Sequence, residues 1–494
     1  MSIGIEPSGA PPLERLYARS RRWRRGGQDL SPYRRLLSNA PFVRLLAAGT
    51  FAFAGPTTGL IVLQTRVAQQ YGAGGAGFAA LALSLLGLAA TVPTLGAALV
   101  SGTLADRYDR RRLLTVVGAV ALGATVALAA VLALDRGGTV SVPGPVGFTL
   151  PVWLLFSLPI WAALTAAVTI FRPTFNAALP HLVESRDLGT ANGLLFACAV
   201  LLSSSTQILT GVLAQSTGAV PALAVPIALF GISLLFLAWL GPGAAGTRAQ
   251  HEKSFLAEAG EGYRYLARRR ELLAVTLAAL GINFLSALAF VELAEYSAFF
   301  LGENPAFLGL LYGIGTLGAG LGALTVTQIR FERRLGRMLG VLTVGMGACV
   351  AALALTRSPP VALGVIFLFG MFPGMFQTAF LTGVQATVPN ELLGRVFAAD
   401  EVGSYAFVPV GQYAGGLATF TWGIPPTYLG AGAGIGLIGV GLLTLPAVGR
   451  FRFEPERVHH PPPPGALFEN PLAGAILAEG LEPLPSDDPG GPPG

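Results

Sequence analysis

Between Leu272 and Gly302 the chain carries two charges, both glutamates. Glu292 and Glu295 fall inside the apolar run 271–301, three residues apart. On a helix that spacing puts both on one face. Glu292 is about ten residues from the end of the run, so roughly 15 Å deep at 1.5 Å per residue. An ionisable group in hydrocarbon is costly and marks a functional site by default. Two carboxylates on one face repel when both are ionised, an arrangement suited to holding a proton or a cationic substrate. A tilted helix would instead let Glu295 reach the interface and be solvated. Asp400 and Glu401 lie two turns into a later apolar run, and Arg172 lies in an earlier one. The acids line a cavity or pair with loop arginines, the second being favoured. Arg172 binds an acidic group of a substrate or pairs with a carboxylate. Asn176, Asn192, Gln207, Asn283, Gln377, Gln385 and Gln412 add polar groups that line a cavity or bond between helices.

Enzyme chemistry has little to work with. The chain holds four histidines, with no HExxH, GxSxG or phosphate-cradling GxxxxGK[ST]. His459 and His460 sit beside a proline run and read as solvated. Cys198 and Cys349 each lie in an apolar run and read as packing residues, neither disulfide nor metal pair. No cofactor or metal is expected, and the chain is not expected to be an enzyme. A signalling domain is missing too, which argues against a non-transporting sensor.

The elements that carry these residues follow from composition. Charged residues make up 12% of 494 positions, about half the share of a soluble domain, and mean hydropathy is +0.63. About 20 apolar residues span a bilayer. Helices are predicted at 42–70, 76–105, 111–134, 151–178, 188–216, 221–241, 271–301, 304–329, 336–356, 359–388, 393–421 and 424–449. The expected fold is an all-α polytopic membrane protein of twelve transmembrane helices. Arginines cluster in the N-terminal segment and after the second, sixth, eighth and twelfth helices, while the opposite loops offer little beyond Arg136 and Arg357. Basic loops stay cytoplasmic, so both termini are placed inside. The net charge of +6 is therefore topology and does not imply nucleic acid.

The chain also repeats. Shifting residues 171–216 by 205 lays Phe171 on Phe376, Phe175 on Phe380, Gly189 on Gly394, Gln207 on Gln412 and Gly211 on Gly416. Six helices separate the copies, so both keep one orientation. Two parallel six-helix halves are a transporter architecture. The expected organisation is a basic cytoplasmic segment (1–40), a first half (41–241), a cytoplasmic linker (242–270) containing a short amphipathic helix, a second half (271–449) and a Pro/Gly-rich disordered tail (450–494).

Between the second and third helices stands GTLADRYDRRRLL, residues 102–114. It resembles the signature loop of the major facilitator superfamily, departing at Asp109, where that loop usually has Gly. The resemblance implies a gating cluster of Gly102, Asp106, Arg107, Arg110 and Arg111 that latches the cytoplasmic face in one of two alternating states. The segments 171–195 and 384–418 resemble the macrolide-efflux and siderophore-exporter branch, through Arg172-Pro173, Pro180, Leu182-Val183, Ala191-Asn192, Val388-Pro389 and Gly394-Arg395-Val396. Two positions depart from that branch: Gly55-Pro56 in the first helix and Thr210-Gly211 in the fifth. The branch implies proton-coupled efflux of amphipathic small molecules, with an uptake or facilitated carrier as the alternative. Expected partners are a small-molecule substrate, a proton or cation as coupling ion and the lipid bilayer, with the chain acting as a monomer. If the latch operates, Asp106→Asn abolishes transport while membrane insertion stays normal. Full transport by that variant would remove Asp106 from the mechanism.

Overall fold

The computed structural model describes residues 31–72, 75–141, 149–184, 187–241, 255–326, 328–329 and 334–449. The expected basic segment before Ser31, the tail from Arg450, the surroundings of Gly102 and the side chain of Asp106 lie outside the described residues. The first six membrane helices are α1 (Ala40–Tyr71), α2 (Ala76–Arg107), α3 (Arg110–Ala133), α4 (Val152–Ala178), α5 (Leu188–Thr217) and α6 (Ala219–Ala238). Next come α7 (Arg270–Phe290), α8 (Pro305–Val326), α9 (Leu335–Leu355) and α10 (Pro359–Thr387). The last two are α11, in two pieces, and α12 (Ile424–Thr444). Among the described residues eleven helices are long and apolar enough to cross a membrane. The two pieces of α11, Asn390–Tyr405 and Val408–Trp422, are consistent with a twelfth crossing. Many large apolar side chains, such as Val116, Phe156, Leu201 and Leu437, point outward, as lipid as solvent requires.

Two predicted helices are broken. Pro409 has no N–H to offer the Tyr405 carbonyl, and its ring crowds that turn. The chain accordingly breaks at Ala406–Phe407. The predicted helix 271–301 stops as regular α-helix at Phe290, then continues as a three-residue turn, Leu293–Glu295, and a π-helical turn, Tyr296–Phe300. The break falls on the two glutamates. Helices with π turns often carry function there.

Two pairs of helices join the halves. Along α5 and α8, Gly211 and Gly309 meet face to face, so that a Cβ on Gly309 would lie 2.6 Å from the Gln207 carbonyl oxygen. The Thr316 hydroxyl donates to Gln207 Oε1 at 2.9 Å. Along α2 and α11, Gly416 packs on Ser84, and the Thr91 hydroxyl donates to Gln412 Oε1 at 2.9 Å. Small residues let membrane helices approach, and polar side chains hold them. These contacts are related by the repeat. Gln207 and Gln412 differ by 205, as do Gly211 and Gly416, while Thr91 and Thr316 differ by 225, as do Ser84 and Gly309.

Both seams lie towards the end of the bundle remote from the α2–α3 loop. That remote end also carries a hairpin, Thr139–Ser141 paired antiparallel with Thr149–Pro151. There the Arg66–Asp135 ion pair, 2.8 Å, ties α1 to the end of α3. Towards the opposite end, Ser101 of α2 and Glu401 of α11 line a void. A helix at Phe255–Arg268, matching the predicted amphipathic segment, packs on the first piece of α11 there, with Glu261 paired to Arg395 and Leu266 buried. Adding a side chain to the α5–α8 seam should push the halves apart at the hairpin end. Gly309→Val is expected to destabilise this closure by roughly 1–3 kcal/mol, the usual cost of overpacking. Spin labels on the hairpin-end tips of α5 and α8 should report longer distances, and an unchanged distribution would contradict the seam.

Candidate functional site

Three voids line the space between the halves. One, about 590 Å³, lies between Phe53 of α1, Thr94 and Ser101 of α2, Arg172 and Asn176 of α4, and Glu401 of α11. A second of similar size shares Arg172 and Glu401 and adds Asn283, Gln377, Phe380, Asp400 and Tyr405. The third, about 420 Å³, reaches the middle of the bundle, where Gln64, Asn283, Ser286, Tyr312 and Gln412 meet Phe290 and Phe369. Each is of the size that takes a drug-sized ligand.

The predicted residues distribute over this tract unevenly. Arg172 and Glu401 face it from opposite halves, and both are exposed to the void although they lie on membrane helices. The Arg172 guanidinium also sits 5.6 Å from the Phe53 ring centre, a cation–π contact. Asp400 accepts from the Thr276 hydroxyl at 2.6 Å and from Ser404 at 3.4 Å, so its contacts lie within its own half. Nearby, Asn283 donates to the Ser404 carbonyl, beside the α11 break. Of the predicted polar set, Asn283 and Gln377 line the cavity, while Gln207 and Gln412 bond across the seams.

Glu292 and Glu295 lie beyond the cavity, at 0% and 3% exposure. Interface solvation of Glu295 is thereby replaced by burial. The Ser84 hydroxyl reaches Glu292 Oε1 at 3.5 Å, from the α2–α11 seam. The two carboxyls are within hydrogen-bonding reach of one another. A proton on either closes that bond, and without one both groups only accept. Among the described residues neither carboxylate has a cation at ion-pair distance. Around the pair, Tyr296 and Tyr428 stack with ring centres 5.4 Å apart. Among the described residues their hydroxyls, with those of Thr65, Ser297 and Thr419 and the second oxygen of each glutamate, are buried without a hydrogen-bond partner. Leaving a buried polar atom unpaired costs about 1–3 kcal/mol. So many unpaired atoms in one place mark a site built for something other than stability. Sequence reasoning missed Ser84, Tyr296 and Tyr428, because single hydroxyl residues on apolar helices are common and carry no spacing signal.

The loop after α2 explains its own departure from the family signature. Asp109 caps α3, accepting from the Arg112 N–H at 2.8 Å. Arg111 donates to the carbonyls of Leu237 and Ala238 at the end of α6, tying α3 to α6. Arg107 is exposed and Arg110 is buried.

The sequence profile of transmembrane secretion effectors matches residues 57–477. The chain belongs to that family, within the major facilitator superfamily. It is a multi-pass membrane transporter of the drug and siderophore exporter branch, and not an enzyme. It is 25% identical over 432 residues to the multidrug efflux pump Tap of Mycobacterium tuberculosis strain H37Rv, covering 85% of this chain and 96% of that protein. To the enterobactin exporter EntS of Citrobacter koseri it is 28% identical over 436 residues, covering 86% and 92%. Its fold matches a D-xylose–proton symporter with TM-score 0.61, 14% identity and coverage of 84% and 99%. It also matches the inward-open xylose transporter XylE of E. coli with TM-score 0.56, 12% identity and coverage of 81% and 95%. For the α3 cap, Asp109→Ala should cost about 1 kcal/mol and Asp109→Gly only a few tenths. Thermal unfolding in detergent would rank wild type, Gly and Ala in that order, and equal midpoints would deny the cap its role.

Proposed function

We propose that this transporter is a proton-coupled exporter of amphipathic small molecules, with the Glu292–Glu295 pair as its proton site. One observation carries the reading. A buried carboxyl pair with no cationic partner among the described residues touches Ser84, the residue on which Gly416 closes the α2–α11 seam. A change of charge on the pair alters the helix contact that holds the halves together. That is the coupling an alternating-access carrier needs. The relatives named a multidrug efflux pump and an enterobactin exporter support export as the direction.

In this reading the α2–α3 loop end is cytoplasmic, with both termini, and the hairpin end faces out. The structure is then in its inward-facing state. Substrate enters between Arg172 and Glu401, with Phe53, Phe380 and Tyr405 offering apolar and aromatic contact. Arg172 takes an anionic or polar oxygen, and Glu401 a basic nitrogen. Protons moving inward down their gradient drive the substrate outward. The gating cluster Asp106, Arg107, Arg110 and Arg111 closes the cytoplasmic end in the other state. Residues 41–241 and 271–449 move as the two bodies, joined by 242–270, within a single chain acting alone.

Reconstituted in liposomes with an imposed pH gradient, the wild type should move lipophilic dyes or antibiotics against their gradient. Glu292→Gln should lose the gradient-dependent part. Movement indifferent to both the gradient and the substitution would make this a facilitated carrier and assign Glu292 to packing.

A further inference from the structure

A fourth void lies on the other side of the glutamates. It is a crevice of about 180 Å³ at the hairpin end, between α1 of the first half and the α7–α8 connection of the second. Thr65, Ala294, Ser297 and Ala298 form its inner wall, and Gln69, Glu303 and Asn304 stand at its rim. Gln69 and Asn304 are exposed, which opens the rim to the surface, and Glu303 is half-buried. This volume is below the 300 Å³ or more that a drug-sized ligand occupies, and it has room for several waters. Two hydroxyls on its inner wall, Thr65 Oγ1 and Ser297 Oγ, are buried and have no hydrogen-bond partner among the described residues. They belong to residues only 2% exposed. Water in the crevice is the partner such groups require, since a bound water bonds two to four polar atoms.

Position decides what that water is for. Ala294 and Ala298 flank Glu295 in the chain, and Ser297 lies two residues beyond it. The Glu303 N–H donates to the Ser297 carbonyl at 2.9 Å, which folds the rim back against the π-helical turn. Neither glutamate lines any of the four voids: the third inner void reaches Val291, beside Glu292, and the crevice reaches Ala294, beside Glu295, so the pair lies between them. The groups facing the pair are Ser84 from α2 and Tyr428 from α12, on which Tyr296 of the π turn stacks. Among the described residues, no ion pair brings an arginine to it.

We propose that this crevice is the outer proton-access route to the Glu292–Glu295 pair, with Thr65 and Ser297 holding the relay water and Glu303 collecting protons at the rim. The inference rests on the proton-site reading above. It adds that protons and substrate reach the centre from opposite ends of the same closed seam. A proton passes from bulk water to the Glu303 carboxylate, along the bound water and onto the Glu295 carboxylate, and no bond other than O–H is made or broken.

The test uses full-length protein in oriented liposomes, with the pH of each compartment set independently. Glu303→Gln and the isosteric Thr65→Val are compared with wild type and Glu292→Gln. The route predicts that both rim and wall variants slow gradient-driven efflux several-fold, and that the deficit shrinks as the pH on the hairpin side is lowered. Changing the pH on the other side should not relieve it. Coupled transport in both variants equal to wild type at every hairpin-side pH, with Glu292→Gln uncoupled, would overturn the route and leave the proton site standing. Full coupling in Glu292→Gln would overturn both. A Ser297→Cys variant in a background lacking Cys198 and Cys349 gives an independent readout. It should react with a small membrane-impermeant thiol reagent added on the hairpin side, and failure to react would close the route.

Discussion

Everything in this fold hangs on the way four helices touch at one end. Gln207 accepts from Thr316 and Gln412 accepts from Thr91, each across the boundary between the halves. One turn further towards the hairpin end, Gly211 meets Gly309 and Gly416 meets Ser84. In lipid, apolar burial gives no net drive for helices to associate, so close packing of small residues and a few hydrogen bonds must do so. Such contacts are strong enough to hold a closed state and few enough to release it. The α5–α8 contact runs on through Ser204–Gly313 and Val200–Gly320, while between α2 and α11 a cavity opens at Ser101 and Glu401.

The two seams are related by the repeat, and one difference between them lies beside the glutamate pair. Where α8 has Gly309, α2 has Ser84. The hydroxyl donates within its own helix to the Ala80 carbonyl at 3.0 Å and also reaches Glu292. Helix α7 abandons regular α-helical geometry at that point, which brings Glu292 and Glu295 inward among Tyr296 and Tyr428. A charge added there, with no counter-ion at bonding distance among the described residues, is expensive in so apolar a setting. In the proposed mechanism, proton occupancy of the pair and the integrity of the seam are linked, which would make a symmetric clamp an ion-driven one.

Much of this was legible in the sequence. Long apolar runs placed the crossings, and the shift of 205 found the glutamines and glycines of both seams. The partners of those residues were hidden, because Thr91 and Thr316 repeat at 225, and loops of different length separate the two registers. The break in α11 was hidden for another reason. Pro56, Pro93, Pro159, Pro173 and Pro373 all lie inside continuous helices here, so Pro409 alone did not announce a break. The glutamates were visible because charge in an apolar run stands out. Their hydroxyl neighbours were not, since what identifies Ser84 or Tyr428 is burial without a partner, a property of packing. Asp109 reads as a departure from a signature until its capping bond is seen.

The central claim is that the Glu292–Glu295 pair shares a proton inside the closed bundle. Infrared difference spectroscopy of the purified protein at neutral pH tests it directly, by comparing wild type with Glu295→Gln. The account predicts a protonated carboxylic acid stretch in the wild type, sensitive to deuteration, that is shifted or lost in the variant. A wild-type spectrum showing only ionised carboxylates at these positions would contradict it.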